Sequence, residues 1–209
     1  MHIIDSVAHS ANAAAALSDN GGVYFVPAFA GLCDPYWDRD VRAAIIGLTL
    51  DTGAEHIVRA GLEAMAYQTR DNVLALERGG LPIPSLRVDG GAISNDFLCQ
   101  FQADLLGIPV ERPRELERTA LGVAQLAGIG VGMWSGQSDL SDAWRAERIF
   151  EPKISLDHRE ELYSGWQDAV AAARSVAPAR TSRVAKLVTP VPLAAASLTA
   201  VATELVAHR

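Results

Sequence analysis

The sequence predicts an α/β domain, and three observations carry that expectation. Strand-like and helix-like patterns alternate from residue 57 to 131. A strand-like run ends in a double glycine where a helix begins, at Val88-Asp89-Gly90-Gly91-Ala92-Ile93-Ser94-Asn95. The 209 residues are 49% hydrophobic and 21% charged, enough for one core of ordinary size.

The elements follow in order. Residues 1–18 read as a helix or its remnant, with Ile3, Ile4, Val7 and Ala11 on one side. The turn cluster at 18–22 ends it. Residues 23–26 form a short strand, stopped by Pro27. Residues 29–42 are irregular, with Pro35, Tyr36 and Trp37 in a row. Both a packed structural loop and one wall of a cleft fit that stretch. Residues 43–48 read as a second strand.

The longest helical pattern spans 54–77, where Ile57, Val58, Gly61, Leu62, Met65, Thr69, Val73 and Leu76 recur at helical spacing. Gly79-Gly80 ends it. Residues 86–88 are a strand. A helix starts near Asn95, turns Phe97, Leu98, Phe101 and Leu105 inward, and closes at Gly107. Residues 108–112 are another strand. Thr119 suits the N-cap of a helix over 120–131. Asp157 and Glu160 have capping-box spacing and open a helix that turns Leu162, Trp166 and Val170 inward. From Pro178 the composition shifts to Ala, Val, Thr, Leu and Pro. The expected organisation is a helix remnant at 1–19, a domain at 20–177 and a poorly ordered tail at 178–209, with a weak helix near 193–206.

Several function classes lose support. The formal net charge of −7 argues against broad capture of nucleic acid. No apolar run approaches the roughly 20 residues that span a bilayer. The N-terminus lacks the basic and apolar regions of a signal peptide. Cys33 and Cys99 form no CxxC or Cys/His cluster, so two reduced thiols in a cytoplasmic protein are expected. No HExxH, GxSxG or GxxxxGK[ST] occurs. Asp34, Asp38 and Asp40 lack the Gly and terminal Glu of a calcium loop and read as solvated acids. Glu55 suits the start of a helix without any catalytic role.

The double-glycine turn is the candidate site. Glycine lets a backbone approach a ligand closely. A helix start offers N–H groups to an anion or a polar ring. Asn95 can cap the helix or face a bound base. Taken alone, the pattern favours an ordinary strand-to-helix turn.

A set of segments changes that weighting. They are Gly22-Val23-Tyr24-Phe25-Val26-Pro27-Ala28-Phe29, Gly31-Leu32, Pro35-Tyr36-Trp37-Asp38, Gly47-Leu48-Thr49, His56-Ile57-Val58-Arg59-Ala60 and Ala66-Tyr67-Gln68-Thr69-Arg70-Asp71. Residues 86–92, Phe97-Leu98-Cys99-Gln100-Phe101-Gln102-Ala103-Asp104, Leu106-Gly107, Val110-Glu111-Arg112-Pro113 and Thr119-Ala120-Leu121-Gly122 complete it. Together, over roughly 20–174, the chain resembles the C-terminal domain of the FGGY carbohydrate kinases, and among these the glycerol kinases. Xylulokinase-like members of the family usually have a different loop where this chain has Pro-Ala-Phe and Pro-Tyr-Trp.

The resemblance implies a ribonuclease H/actin-like ATPase domain with its early strands missing. It implies ATP with Mg²⁺ as cofactors and phosphorylation of glycerol to glycerol 3-phosphate as the family reaction. Gly90, Gly91, Ala92 and Asn95 would border the adenine and ribose. The helices at 54–76 and from Ala120 would pack on the domain's sheet. The polyol pocket, the Asp that takes the hydroxyl proton and the Asp-Gly-Thr phosphate loop lie, by the same resemblance, in an N-terminal half without counterpart here. No catalytic residue is therefore assigned, and no metal ligand. The expected partners are a nucleotide and either a separate N-terminal half or a second copy of the chain. The rival expectations are a non-catalytic remnant or interaction module, and the C-terminal half of another FGGY sugar or polyol kinase. Ala30, Cys33, Asp34 and Gly61 depart from the usual family residues.

Overall fold

The structure is a computed structural model and describes residues 4, 6–115, 118–136, 138–141 and 146–176. The expected tail at 178–209 lies outside the described residues, as do Ile3 and most of the segment before Ser6.

A short 3-10 turn at Val7–His9 leads into α1 (Ser10–Ala15). Then come β1 (Tyr24–Val26), β2 (Ala44–Ile46), α2 (Ala54–Arg78), β3 (Leu86–Arg87), α3 (Asp96–Leu106) and β4 (Val110–Pro113). The described chain closes with α4 (Arg118–Gly130), α5 (Ser138–Ser141), β5 (Ala146–Phe150) and α6 (Leu156–Ser175). β1 and β2 pair antiparallel, with Phe25 opposite Ile45. β4 is central to a second sheet, parallel to β3 and antiparallel to β5.

β5 was not expected from the sequence. Its residues are exposed except Phe150, so Glu147 and Arg148 mask any alternation of apolar and polar positions. Phe150 is the anchor. It joins Ile93, Cys99, Ala103 and Val110 in the apolar layer between this sheet and α3.

α3 shows why local chemistry sets local structure. Asn95 takes extended backbone angles and accepts the Leu98 N–H through Oδ1 at 3.1 Å, which makes it the N-cap. Gly107 ends the helix at φ 73, and its N–H returns to the Ala103 carbonyl at 2.8 Å. A Cβ there would also strike the Arg159 guanidinium.

The N-cap of α6 lies two residues before the expected one. Ser155 accepts the His158 N–H at 3.2 Å, so Asp157 and Glu160 do not form the expected capping box. Glu160 instead receives Arg70 Nη2 at 2.6 Å.

The larger core lies where α2, α3, α6 and β1 meet. Trp166 stacks on Tyr67 at 5.3 Å between centroids, and Tyr67 meets the edge of Phe101 at 5.6 Å. The inward face of α2 differs from the expected apolar stripe. Met65 and Leu76 are exposed, while Arg59, Glu63, Tyr67, Arg70 and Asp71 are buried.

Those charges are satisfied. Arg59 Nε donates to Glu63 Oε1 at 2.7 Å, and Glu63 Oε2 accepts Asn20 Nδ2 at 3.0 Å. Arg59 Nη1 reaches the carbonyls of Ala14 and Leu17, so this pair ties the N-terminal segment to α2. Asp71 accepts Tyr163 Oη at 2.6 Å, Trp166 Nε1 at 3.0 Å and Tyr36 Oη at 3.1 Å. One carboxylate thus joins α2, α6 and the loop after β1.

α4 is the opposite case. It was expected to pack on the sheet, but among the described residues no strand or helix packs closely against it. Trp134 folds back onto Gly128, where a Cβ would meet its ring.

Candidate functional site

The turn between β3 and α3 is built from the strand upward. Leu86 and Val88 donate their N–H groups to the carbonyls of Pro109, just before β4, and of Glu111 on it, which fixes the end of β3. Gly90 then takes φ 89 and ψ 170, a conformation open in practice to glycine alone. Residues Gly91–Ser94 form one 3-10 turn, and Asn95 passes the chain into α3. Ile93 points inward and is buried, while Ala92 is exposed.

The outer side of this turn is open. A Cβ added at Gly90 or Gly91 would meet nothing within 4 Å. The space that glycine leaves here is not filled by the described chain and suits an approaching ligand. Ser94 Oγ donates to the Gly91 carbonyl at 2.8 Å and closes the turn on itself.

The four residues singled out from the sequence, Gly90, Gly91, Ala92 and Asn95, therefore sit in one continuous turn at the end of a parallel strand. Sequence reasoning did not find their support. Asn95 Nδ2 donates to Ser10 Oγ at 3.1 Å, so α1 braces the turn from 85 positions away. Beside it lies a shallow cleft of about 330 Å³ lined by Ser94, Arg112, Arg114 and Glu147. Arg112 holds its place by donating to the Ile93 carbonyl, Asp96 Oδ1 and Glu147 Oε2. The Arg112 guanidinium holds the Asp96 carboxyl below its ordinary range. From the sequence, Arg112 falls only in a strand and in a segment of the resemblance, with no role at this turn.

The remaining candidates are engaged elsewhere. Asp38 accepts Arg174 Nε at 3.0 Å, and Asp34 accepts Trp37 Nε1 at 3.1 Å. His56 Nδ1 accepts the Gly53 N–H at 3.0 Å and caps α2 from inside. Burial pushes the Cys99 thiol up to about 11, and Cys33 is exposed with no disulfide between them. Among the described residues no group of three His, Cys, Asp or Glu side chains could hold a metal ion. No described helix is long and apolar enough to cross a membrane.

Comparison with known proteins gives this geometry its context. Residues 4–131 match the family model of the FGGY family of carbohydrate kinases, C-terminal domain. Glycerol kinase 2 of Thermotoga maritima is 53% identical over 171 residues, which are 81% of this chain and 34% of that protein. The glycerol kinase of Bacillus licheniformis is 56% identical over 155 residues, covering 74% of this chain and 31% of that protein. The chain thus spans about a third of the length of the curated relatives it matches. Among solved structures, a Plasmodium falciparum glycerol kinase with ADP superposes with a TM-score of 0.73 at 34% identity, covering 82% of this chain and 34% of that one. A gluconate kinase from Lactobacillus acidophilus shares the fold, with a TM-score of 0.66 at 20% identity. The fold is that of the actin-like sugar kinases, here as part of a domain, and the chain belongs to the FGGY family of carbohydrate kinases through its C-terminal domain.

Proposed function

We propose that this chain is the nucleotide-facing part of a glycerol kinase, with Gly90, Gly91, Ala92 and Asn95 bordering the adenine and ribose of ATP. The observation that carries the reading is the open turn, where glycines with empty space beside them meet the start of α3. The similarity to a glycerol kinase solved with ADP supports the choice of ligand. The setting would be the cytoplasm.

The reaction is transfer of the terminal phosphoryl group of ATP to a glycerol hydroxyl. Its oxygen bonds to phosphorus as the phosphoanhydride bond breaks, and the hydroxyl proton goes to a general base. The turn's role is to hold the base end of the nucleotide and so position its phosphates. When bound, Mg²⁺ would neutralise phosphate charge. The described residues offer no carboxylate cluster for it, so its protein ligands would lie in the other two-thirds of the kinase. The phosphate loop, the base and the polyol pocket belong there as well. The chain alone is then expected to be catalytically silent.

Isothermal titration of the full chain with ADP tests the reading. Binding at about millimolar strength is expected, because the phosphate contacts are absent. Gly91→Val should weaken it at least about tenfold while the melting curve stays unchanged, since the added atoms meet open space. Absence of ADP binding, or equal affinity of the variant, overturns the proposal.

A further inference from the structure

We infer that the exposed apolar surface of α4 is the seat on which the rest of a family kinase, its N-terminal two-thirds, docks. Three observations lead there. No charged side chain occurs from Thr119 to Gly136. Val123 is 65% exposed, Leu126 63%, Val131 80% and Met133 70%. No described strand or helix packs closely on this helix. A helix with no charge after its first residue and with Val123 and Leu126 in water is unlike a solvated surface helix, which carries a polar face. A short helix without packing is also only marginally formed in water.

The occupant follows from the length of the relatives. α4 lies inside the family match, which ends at residue 131. Relatives more than 50% identical carry about twice as much further polypeptide, and the family match places this chain at the C-terminal end of it. In those proteins the same helix is folded in the presence of that polypeptide. The docked polypeptide covers Val123 and Leu126 and, with them, brings the nucleotide turn to the other half of the site. The inference rests on the glycerol-kinase reading above and deepens it by naming the contact surface. It holds whether that polypeptide is joined to this chain or separate from it.

Hydrogen exchange read by mass spectrometry over residues 119–131 tests it. Two proteins are compared: the full chain at low micromolar concentration, and a chimera in which the full chain replaces the matched third of Thermotoga maritima glycerol kinase 2. In the chain alone the α4 amides should exchange close to the unprotected rate. In the chimera they should slow at least about a hundredfold. Leu126→Glu should abolish that slowing and leave the ADP affinity of the chain alone unchanged. Protection already present in the chain alone overturns the proposal. Its dependence on concentration would then point to a second copy, and its independence to the chain's own residues 178–209. A chimera whose α4 stays fast, folded or not, overturns it too. Glycerol-dependent ADP release by the chimera separates the two readings. Protection without turnover supports the surface and counts against the kinase reading, whereas turnover without protection does the reverse.

Discussion

Two helices of this chain reverse the usual rule in opposite directions. α2 buries charges, with Glu63 at 1% and Asp71 at 2% exposure, while α4 leaves Leu126 and Val123 in water. The difference is one of partners. Every buried charge on α2 meets a donor or acceptor in this chain, from Asn20 to Trp166. The apolar groups of α4 meet little in the described chain. A buried polar group is tolerated once it is paired, and an exposed apolar surface of this kind calls for a cover.

The sharpest way to break the comparison is to remove a partner on α2. Arg59→Ala leaves the Glu63 carboxylate buried with only Asn20 against it. The expected loss is about 3–5 kcal/mol, a fall of about 10 °C in Tm for a domain of this size. Thermal unfolding followed by circular dichroism reads it. A loss under about 1 kcal/mol would mean that water reaches Glu63.

A smaller effect is expected from pH. Burial raises the carboxyl pKa values of both Glu63 and Asp71 above their ordinary values. The folded chain therefore holds these protons more tightly than the unfolded chain. That contribution is complete below the ordinary carboxyl value and is lost as pH rises through the folded one. Asp96, lowered by Arg112, works the other way and gives up its contribution as pH falls. In Asp71→Asn the urea midpoint should decline less steeply than in the parent as pH rises from about 4. An unchanged slope would move the cause away from this carboxylate.

The smallest effect should come from α4. Leu126→Glu in the chain alone is expected to change stability by less than about 0.5 kcal/mol, against about 2–5 kcal/mol for truncating a buried leucine. A denaturant titration decides between these, and a large loss would mean that α4 is covered within the chain.

The same contrast explains what the sequence made legible. α3 could be read at both ends because Asn95 and Gly107 act on their own helix, within four residues. The shape of the double-glycine turn was readable for the same reason, since Gly90 and Gly91 act on the backbone where they stand. The existence of α2 was readable, but its inward face was not. Periodicity counts apolar residues, whereas here the inward positions include Glu63 and Asp71, whose partners outside α2 lie 35 to 95 positions away. The Asp157–Glu160 spacing misled because Glu160 is drawn off to Arg70 on another helix. β5 was invisible because one residue, Phe150, carries nearly all of its burial. Ser10 could not be seen as a support of Asn95, because nothing local to either residue records the other.

The bracing of Asn95 bears on how a ligand would experience this turn. Its Oδ1 is held by the Leu98 N–H and its Nδ2 by Ser10, so the amide is fixed at both ends without a ligand. A side chain that must be ordered on binding forfeits about 0.5–1.5 kcal/mol of rotational entropy. Asn95 has surrendered that freedom during folding. Among the described residues one lone pair of Oδ1 and one proton of Nδ2 have no partner, and if the proposed function holds they would meet a nucleoside in an orientation already set.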